Sequence, residues 1–345
     1  MRAAVLREGR MIVRDDVPEP VPELGQVLVQ VKACGICGSD LHFAKHGGTM
    51  LELFKVMKGL PEMVRPRTEL ARDVFMGHEF AAEVLEVGPG TEAPAPGTLV
   101  TSVPVMLTMT GIQDLAYSND FPAGYSERML LSAPLLQTVP NGLEASLAAL
   151  TEPLAVGVHA VNRSGISAGE AALVVGCGPV GLAVTAALRH RGVEPVIASD
   201  FSPARRQLGS AMGAHRVVDP AVEDPWDACT EPAGGRQLVV FEAVGVPGIL
   251  DELFRSAPPK ARIVVVGVCM QTDHVNPFFG IAKELNVQFV LGYDPEEFAG
   301  SLRSIAEGVI DVSPMVTSTV GLDEIPAAFE RLSRPEADCK ILALP

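Results

Sequence analysis

No stretch of this 345-residue chain approaches the roughly 18 consecutive apolar residues of a membrane-spanning helix, so a membrane is not expected as a partner. The opening Met1–Arg7 has no apolar stretch long enough for a signal peptide and already alternates like a strand. Basic residues are scarce. The 27 Lys and Arg stand against 42 Asp and Glu, and the formal charge of -15 repels polyphosphate backbones, which argues against nucleic acid as a partner. Cysteines are few and scattered, at 34, 37, 177, 229, 269 and 339, with one close pair and no disulfide framework. A reducing cytoplasm is the compartment that fits. Internal repeats and low-complexity tracts are also missing.

What is present is an ordinary globular composition, 48% hydrophobic and 20% charged, in a chain long enough for about two domains. Up to about residue 145, short alternating apolar runs such as Val27–Val31 and Phe80–Val87 are broken by Gly and Pro, which predicts a β-rich, barrel-like domain. From about 146 the texture changes. Strand-like runs at 171–175, 195–199, 238–241 and 262–266 alternate with helical stretches at 180–189 and 203–212, the pattern of a parallel sheet covered by helices on both faces. After 293 come helical patterns at 295–307 and 322–332 and a closing strand at 340–344.

Gly176, Gly178 and Gly181 follow a predicted strand and, with Pro179 and Val180 between them, open a predicted helix. Glycines in that setting permit a tight turn and let backbone N–H groups approach a pyrophosphate at the helix N-terminus. Asp200 ends the next strand, close to the usual offset of the carboxylate that binds the adenosine ribose, and it would repel a 2′-phosphate, so NAD is expected over NADP. Arg205 and Arg206 lie nearby, where an arginine can instead accommodate that phosphate or simply face solvent.

Upstream, Cys37 sits between two glycines, Gly77 precedes His78, and Glu152 precedes Pro153. A catalytic zinc takes three protein ligands and leaves one position open, and these residues with Glu79 are the candidates. Taken singly, Cys37 would pass for a small buried hydrophobe, His78 for a core histidine and Glu152 for a helix cap. Their joint occurrence with a dinucleotide turn points to alcohol or carbonyl redox chemistry.

The stretches GICGSDLH, GHEF, TEPLAVGVHAV, VVGCGPVGLA and VFEAVG, in this order, resemble the zinc-dependent medium-chain dehydrogenase/reductase superfamily, nearest its sorbitol and threonine dehydrogenase branch. The resemblance spans essentially the whole chain. It implies an α/β protein with a GroES-like catalytic domain (1–151), a Rossmann doubly wound NAD-binding domain (152–292) and a C-terminal segment (293–345) returning to the first. It implies Cys37 and His78 as zinc ligands with the third place open between Glu79 and Glu152, and Asp40 as the hydrogen-bond partner of His78. Ser39 would take the alcohol proton and pass it toward His42, unless His42 is a surface histidine. Backbone at Val244, Gly245, Gly267 and Val268 would face the nicotinamide carboxamide, and Lys340 would be either a pyrophosphate contact or a solvated lysine. A soluble homodimer or homotetramer is expected.

Two departures from the family shape the expectations. No cysteine lies between Thr101 and Glu127, so one catalytic zinc and no structural zinc is expected, the lobe being held by Val103, Val105, Met106, Leu107 and Met109. The spacing from Cys37 to His78 is long, and the segment from about Gly47 to Arg72 carries Met50, Leu51, Leu53, Phe54, Val56, Met57 and Leu60. It is expected either to form a helical flap over an apolar substrate pocket or to pack as a surface insertion or subunit contact. The predicted activity is an NAD-linked zinc alcohol dehydrogenase acting on a bulky or apolar secondary alcohol or ketone. A polyol or sugar dehydrogenase is the alternative, and a non-catalytic NAD-binding or redox-sensing protein the alternative of another class.

Overall fold

The computed structural model describes residues 1–59, 66–109, 111–334 and 338–345. The chain divides into two compact units, Met1–Glu152 with Val316–Pro345, and Pro153–Met315.

The first unit is built from β1 (Ala3–Arg7), β2 (Arg10–Arg14), β3 (Gln26–Gly35), α1 (Gly38–Val56), β4 (Val74–Met76), β5 (Glu79–Val87), β6 (Leu99–Ser102), β7 (Val105–Thr108), β8 (Gly111–Asp114), β9 (Tyr117–Ser118), β10 (Arg128–Ser132), β11 (Leu136–Thr138) and α2 (Ala145–Ala148). α3 (Thr151–Ser164) then carries the chain into the second unit, made of β12 (Ala171–Val175), α4 (Pro179–His190), β13 (Val196–Ser199), α5 (Pro203–Ala211), β14 (Arg216–Val218), α6 (Pro225–Ala233), β15 (Leu238–Glu242), α7 (Ile249–Ser256), β16 (Arg262–Val265), α8 (Pro277–Lys283), β17 (Asn286–Phe289) and α9 (Pro295–Ala306). The chain returns to the first unit through β18 (Val316–Val320), α10 (Ile325–Leu332) and β19 (Lys340–Ala343). The return therefore begins at Val316 and not at 293, because α9 buries Phe298, Leu302 and Ile305 within the second unit.

In the first unit the sheets run β2-β1-β4-β9 and β11-β6-β5-β3-β19-β18, with β10 also on β3. Their shared core includes Val29, Ile36, Phe43, Met76, Phe80 and Tyr125. β19 pairs antiparallel with β3, Leu342 opposite Gly35, while β5 pairs with the other side of β3, Glu79 opposite Gly35. That register brings the last strand of the chain beside the residues that follow Gly35.

In the second unit six parallel strands run β14-β13-β12-β15-β16-β17. Residues 171–174 of β12 are wholly buried, and so are all five of β15, as expected for strands covered on both faces. Pro179 is accommodated at the first position of α4, where its missing N–H costs no hydrogen bond.

Three local expectations are corrected. Glu152 was expected just outside the helix, yet α3 already includes Thr151 and Glu152, since proline is tolerated in a first turn. In the 47–72 segment, residues 47–56 continue α1 from the GSDLH motif, with non-helical backbone at His46, so this part is not a separate element. Met50 and Leu70 pack on the core, Leu53, Val56 and Met57 are exposed, and Leu60 lies outside the described residues. Of the five lobe residues named above, Met106 is buried, Val103 and Val105 are half-buried and Leu107 and Met109 are exposed, Leu107 because β7 and β8 form a two-stranded hairpin in which alternate side chains face outward. No helix among the described residues is long and apolar enough to cross a membrane.

Candidate metal centre and dinucleotide site

Cys37 follows β3 directly and is the N-cap of α1, in extended backbone. His78 directly precedes β5, whose first residue is Glu79. A donor atom of Cys37, His78 and Glu79 each lies within 4.8 Å of the other two. Glu152 forms no such trio with Cys37 and His78. Cys37 is half-buried, and His78 and Glu79 are buried.

Asp40 ties two of these residues together. Its Oδ2 accepts from the Cys37 amide (3.1 Å) and from the Tyr125 phenol (2.6 Å), while its Oδ1 lies 3.4 Å from His78 Nδ1. Among the described residues neither Asp40 Oδ1 nor His78 Nδ1 has another hydrogen-bond partner, so they face each other, and Nε2 is the nitrogen open to a metal. Burial disfavours the His78 imidazolium, but Asp40 and then Cys37 outweigh it and raise the His78 pKa well above its ordinary value.

Glu79 is wholly buried, and both its oxygens accept from Lys340 Nζ (2.6 and 2.7 Å), which also donates to the Ile36 carbonyl (3.1 Å). Lys340 is thus 0% exposed and not a solvated lysine. A Cβ at Gly35 would lie 2.0 Å from Glu79 Oε2, so glycine there makes the room for the carboxylate. The thiolate, imidazole and carboxylate donor set, with the imidazole oriented by Asp40, fits zinc.

Ser39 Oγ lies 3.4 Å from His78 Nε2, and the Tyr117 side chain lies nearby. Tyr117 stacks on Phe43 with ring centroids 4.1 Å apart and meets the His78 ring edge-on. Its pKa is pushed up, first by burial and then by Asp40. His42 is one turn beyond Ser39 on α1, and burial, then His46 and Lys45, lower its pKa. Sequence reasoning missed Tyr117 and Tyr125. A phenol 80 or so residues from the GSDLH motif carries no local signal of where it will fold.

In the second unit, Gly176 has φ +98°, and a Cβ at Gly181 would sit 1.8 Å from the Gly176 carbonyl oxygen, so helix and turn pack too closely for any side chain. Gly178 is the N-cap of α4, with Pro179 and Val180 partly exposed in its first turn. Asp200 Oδ2 accepts from the Cys177 amide (2.9 Å) and Oδ1 from the Ser202 amide (2.8 Å), which binds the end of β13 to the glycine turn. Arg206 pairs with Asp219, whereas the buried Nε of Arg205 has no partner among the described residues. Val244, Gly245, Gly267 and Val268 lie in the loops after β15 and β16.

The alcohol dehydrogenase GroES-like domain family matches residues 23–141, and the zinc-binding dehydrogenase family matches residues 179–307. Over the full length of both chains, this sequence is 34% identical to the (R,R)-butanediol dehydrogenase of Bacillus subtilis strain 168. The chain belongs to the zinc-binding alcohol dehydrogenase family. The crystal structure of 2R,3R-butanediol dehydrogenase from Bacillus subtilis superposes with a TM-score of 0.83 at 31% identity, covering 100% of this chain and 99% of that one. A zinc-binding dehydrogenase from Sinorhizobium meliloti 1021 bound to NADP superposes with a TM-score of 0.82 at 28% identity, with the same coverage. The protein is accordingly a zinc-dependent oxidoreductase of the alcohol dehydrogenase type that uses NAD(P), in a family whose two parts are the GroES-like and nucleotide-binding units described above.

Proposed function

We propose that the protein moves a hydride between NAD and a secondary alcohol or its ketone, with Cys37, His78 and Glu79 as the zinc ligands. The observation that carries this reading is the donor trio of these residues beside the Ser39 hydroxyl. Bound there, zinc would act as the Lewis acid that polarises the substrate oxygen.

The chain's own residues do the rest. Asp40 fixes the His78 tautomer, and Tyr125 fixes Asp40. Ser39, set between His78 and Tyr117, accepts the alcohol proton. His42 one turn on is the proton's destination: its lowered pKa keeps the imidazole neutral and able to accept near pH 7. Glu152, in the first turn of α3, is the acidic group of the site that does not ligate. Asp200 presents a carboxylate at the ribose end, which favours NAD over NADP, while Arg205 supports residual use of NADP.

The Phe43–Tyr117 stack beside Ser39 favours a carbon-rich substrate. A polyol is the second reading, and the observation for it is the Tyr117 phenol at Ser39, a polar handle for a further hydroxyl. A relative at 34% identity acts, by its name, on butanediol, which has both characters. The test is an NAD reduction screen over aliphatic secondary alcohols, vicinal diols and hexitols, with zinc content measured for Cys37→Ser, Glu79→Gln and Glu152→Gln. Turnover of simple secondary alcohols and diols ahead of hexitols is expected, as is zinc loss in the first two variants. Faster hexitol turnover, or zinc loss only in Glu152→Gln, would overturn the corresponding part.

We also propose that the chain works in the cytoplasm as a homo-oligomer. The six free cysteines support the compartment. The association is supported by β17, an edge strand of the parallel sheet, where Phe289 and the following Leu291 are exposed, as are Phe278 and Ile281 on α8. Light scattering should give a mass above one chain, and Phe289→Lys should lower it. A monomeric wild type would refute the association.

A further inference from the structure

Glu242 is the last residue of β15 and only 1% exposed, yet neither the metal centre nor the glycine turn uses it. Its Oε1 accepts from the amides of Val244 (2.6 Å) and Gly245 (2.8 Å). Its backbone carbonyl accepts from Val266 and Gly267, both at 2.9 Å, so one residue holds the starts of the loops after β15 and β16. These loops are locked backbone against backbone. A Cβ at Gly245 would come 2.7 Å from the Val268 amide nitrogen, and one at Gly267 would come 2.4 Å from the Gly245 nitrogen and 2.7 Å from Glu242 Oε2. The first loop also reaches the glycine turn, since the Ala243 amide donates to Val175 and a Gly176 Cβ would meet Val244 at 2.9 Å.

The topology says what this corner is for. The chain runs β12, β13, β14 to one side and then crosses to β15, β16, β17 on the other. Dinucleotides bind outside the carboxyl ends of the strands at such a reversal. The turn after β12 takes the pyrophosphate and Asp200 marks the adenosine side at β13, which leaves the β15 and β16 ends for the nicotinamide half. Resting on the NAD(P) reading, we propose that Glu242 is a positioning residue for the nicotinamide half of the cofactor, its carboxylate acting as a two-amide staple that sets the 243–245 loop. Burial pushes the Glu242 carboxyl up and the two amides pull against it, so an acceptor oxygen facing them matters more than a full charge.

The experiment titrates the full-length protein with ADP-ribose and with NADH or NADPH, whichever the wild type binds more tightly. Glu242→Gln keeps the acceptor oxygen and should bind both ligands within about twofold of wild type. Glu242→Leu strands the two amides, the Gly245 one buried, and should lose about tenfold or more in dinucleotide affinity, with ADP-ribose little changed. Glu242→Asp, which withdraws the oxygen by one methylene, should show the same split more weakly and carries the test if the Leu variant does not fold. Equal losses for ADP-ribose and the whole dinucleotide would reduce Glu242 to a structural role and overturn the proposal, as would no loss in Asp and Leu or a Gln variant as impaired as Leu. A wild type that binds no dinucleotide would instead refute the NAD(P) reading itself.

Discussion

Glu79 and Glu242 are both buried carboxylates at strand ends, one in each unit, and they are satisfied in opposite ways. Glu79 meets a full cation, Lys340, delivered by the last strand of the chain 261 residues away. Glu242 meets two backbone amides two and three residues away. A buried ion pair depends on both partners being present, whereas an amide staple depends on local backbone geometry. Glu79 is held by a cation from a distant strand and not by its own loop, beside the Cys37 and His78 donors. Glu242 cannot let go of its partners without moving the loop, which suits a fixed wall.

The sharpest way to break that contrast is to remove the cation. Lys340→Met leaves Glu79 charged and buried, and such a loss costs about 3–5 kcal/mol. Chemical denaturation of metal-free protein should read a destabilisation of that size. Pairing it with Glu79→Leu should recover much of the loss, because two well-packed apolar side chains replace a compensated pair at little net cost. Zinc should shrink the Lys340→Met penalty, since a second cation then faces Glu79. A penalty under about 1 kcal/mol without zinc, in the range of exposed pairs, would mean that Glu79 is not held by charge at all.

The same contrast explains what could be read before folding. The glycine turn and β12 were legible because their partners are sequence neighbours: Gly176 and Gly181 are five positions apart, and a wholly apolar strand stands next to them. Cys37 and His78 were legible as candidate ligands through motif resemblance, while the third place stayed open because spacing alone could not choose between Glu79 and Glu152. Lys340 looked like either a ligand contact or a solvated tail residue, because only the pairing of β19 with β3 buries it. The continuity of α1 through 47–56 was hidden because its apolar residues follow no clean helical stripe, and Tyr125 was invisible because its partner Asp40 is 85 residues distant.

A third carboxylate lies between the two extremes and gives the smallest expected effect. Glu297, in the first turn of α9, accepts from the Asp294 amide (2.9 Å) and Asn162 (2.6 Å) and meets His159 Nδ1 at 2.7 Å, combining a backbone staple with a side-chain pair. Burial pushes its carboxyl up, but the Asp294 amide, Asn162 and His159 together hold it below the ordinary value. A folded-state pKa below the unfolded one means the unfolded chain binds more protons as acid is added. The stability from Glu297 is therefore present above the unfolded carboxylate pKa of about 4.3 and lost as pH falls through the lower folded value. Glu297→Gln should cost about 1 kcal/mol near pH 7, since the acceptor to Asp294 can survive while the charge is lost. The wild-type and variant unfolding curves should converge toward pH 3. A gap that stays constant with pH would assign Glu297 to the Glu242 type, held by amides and indifferent to charge.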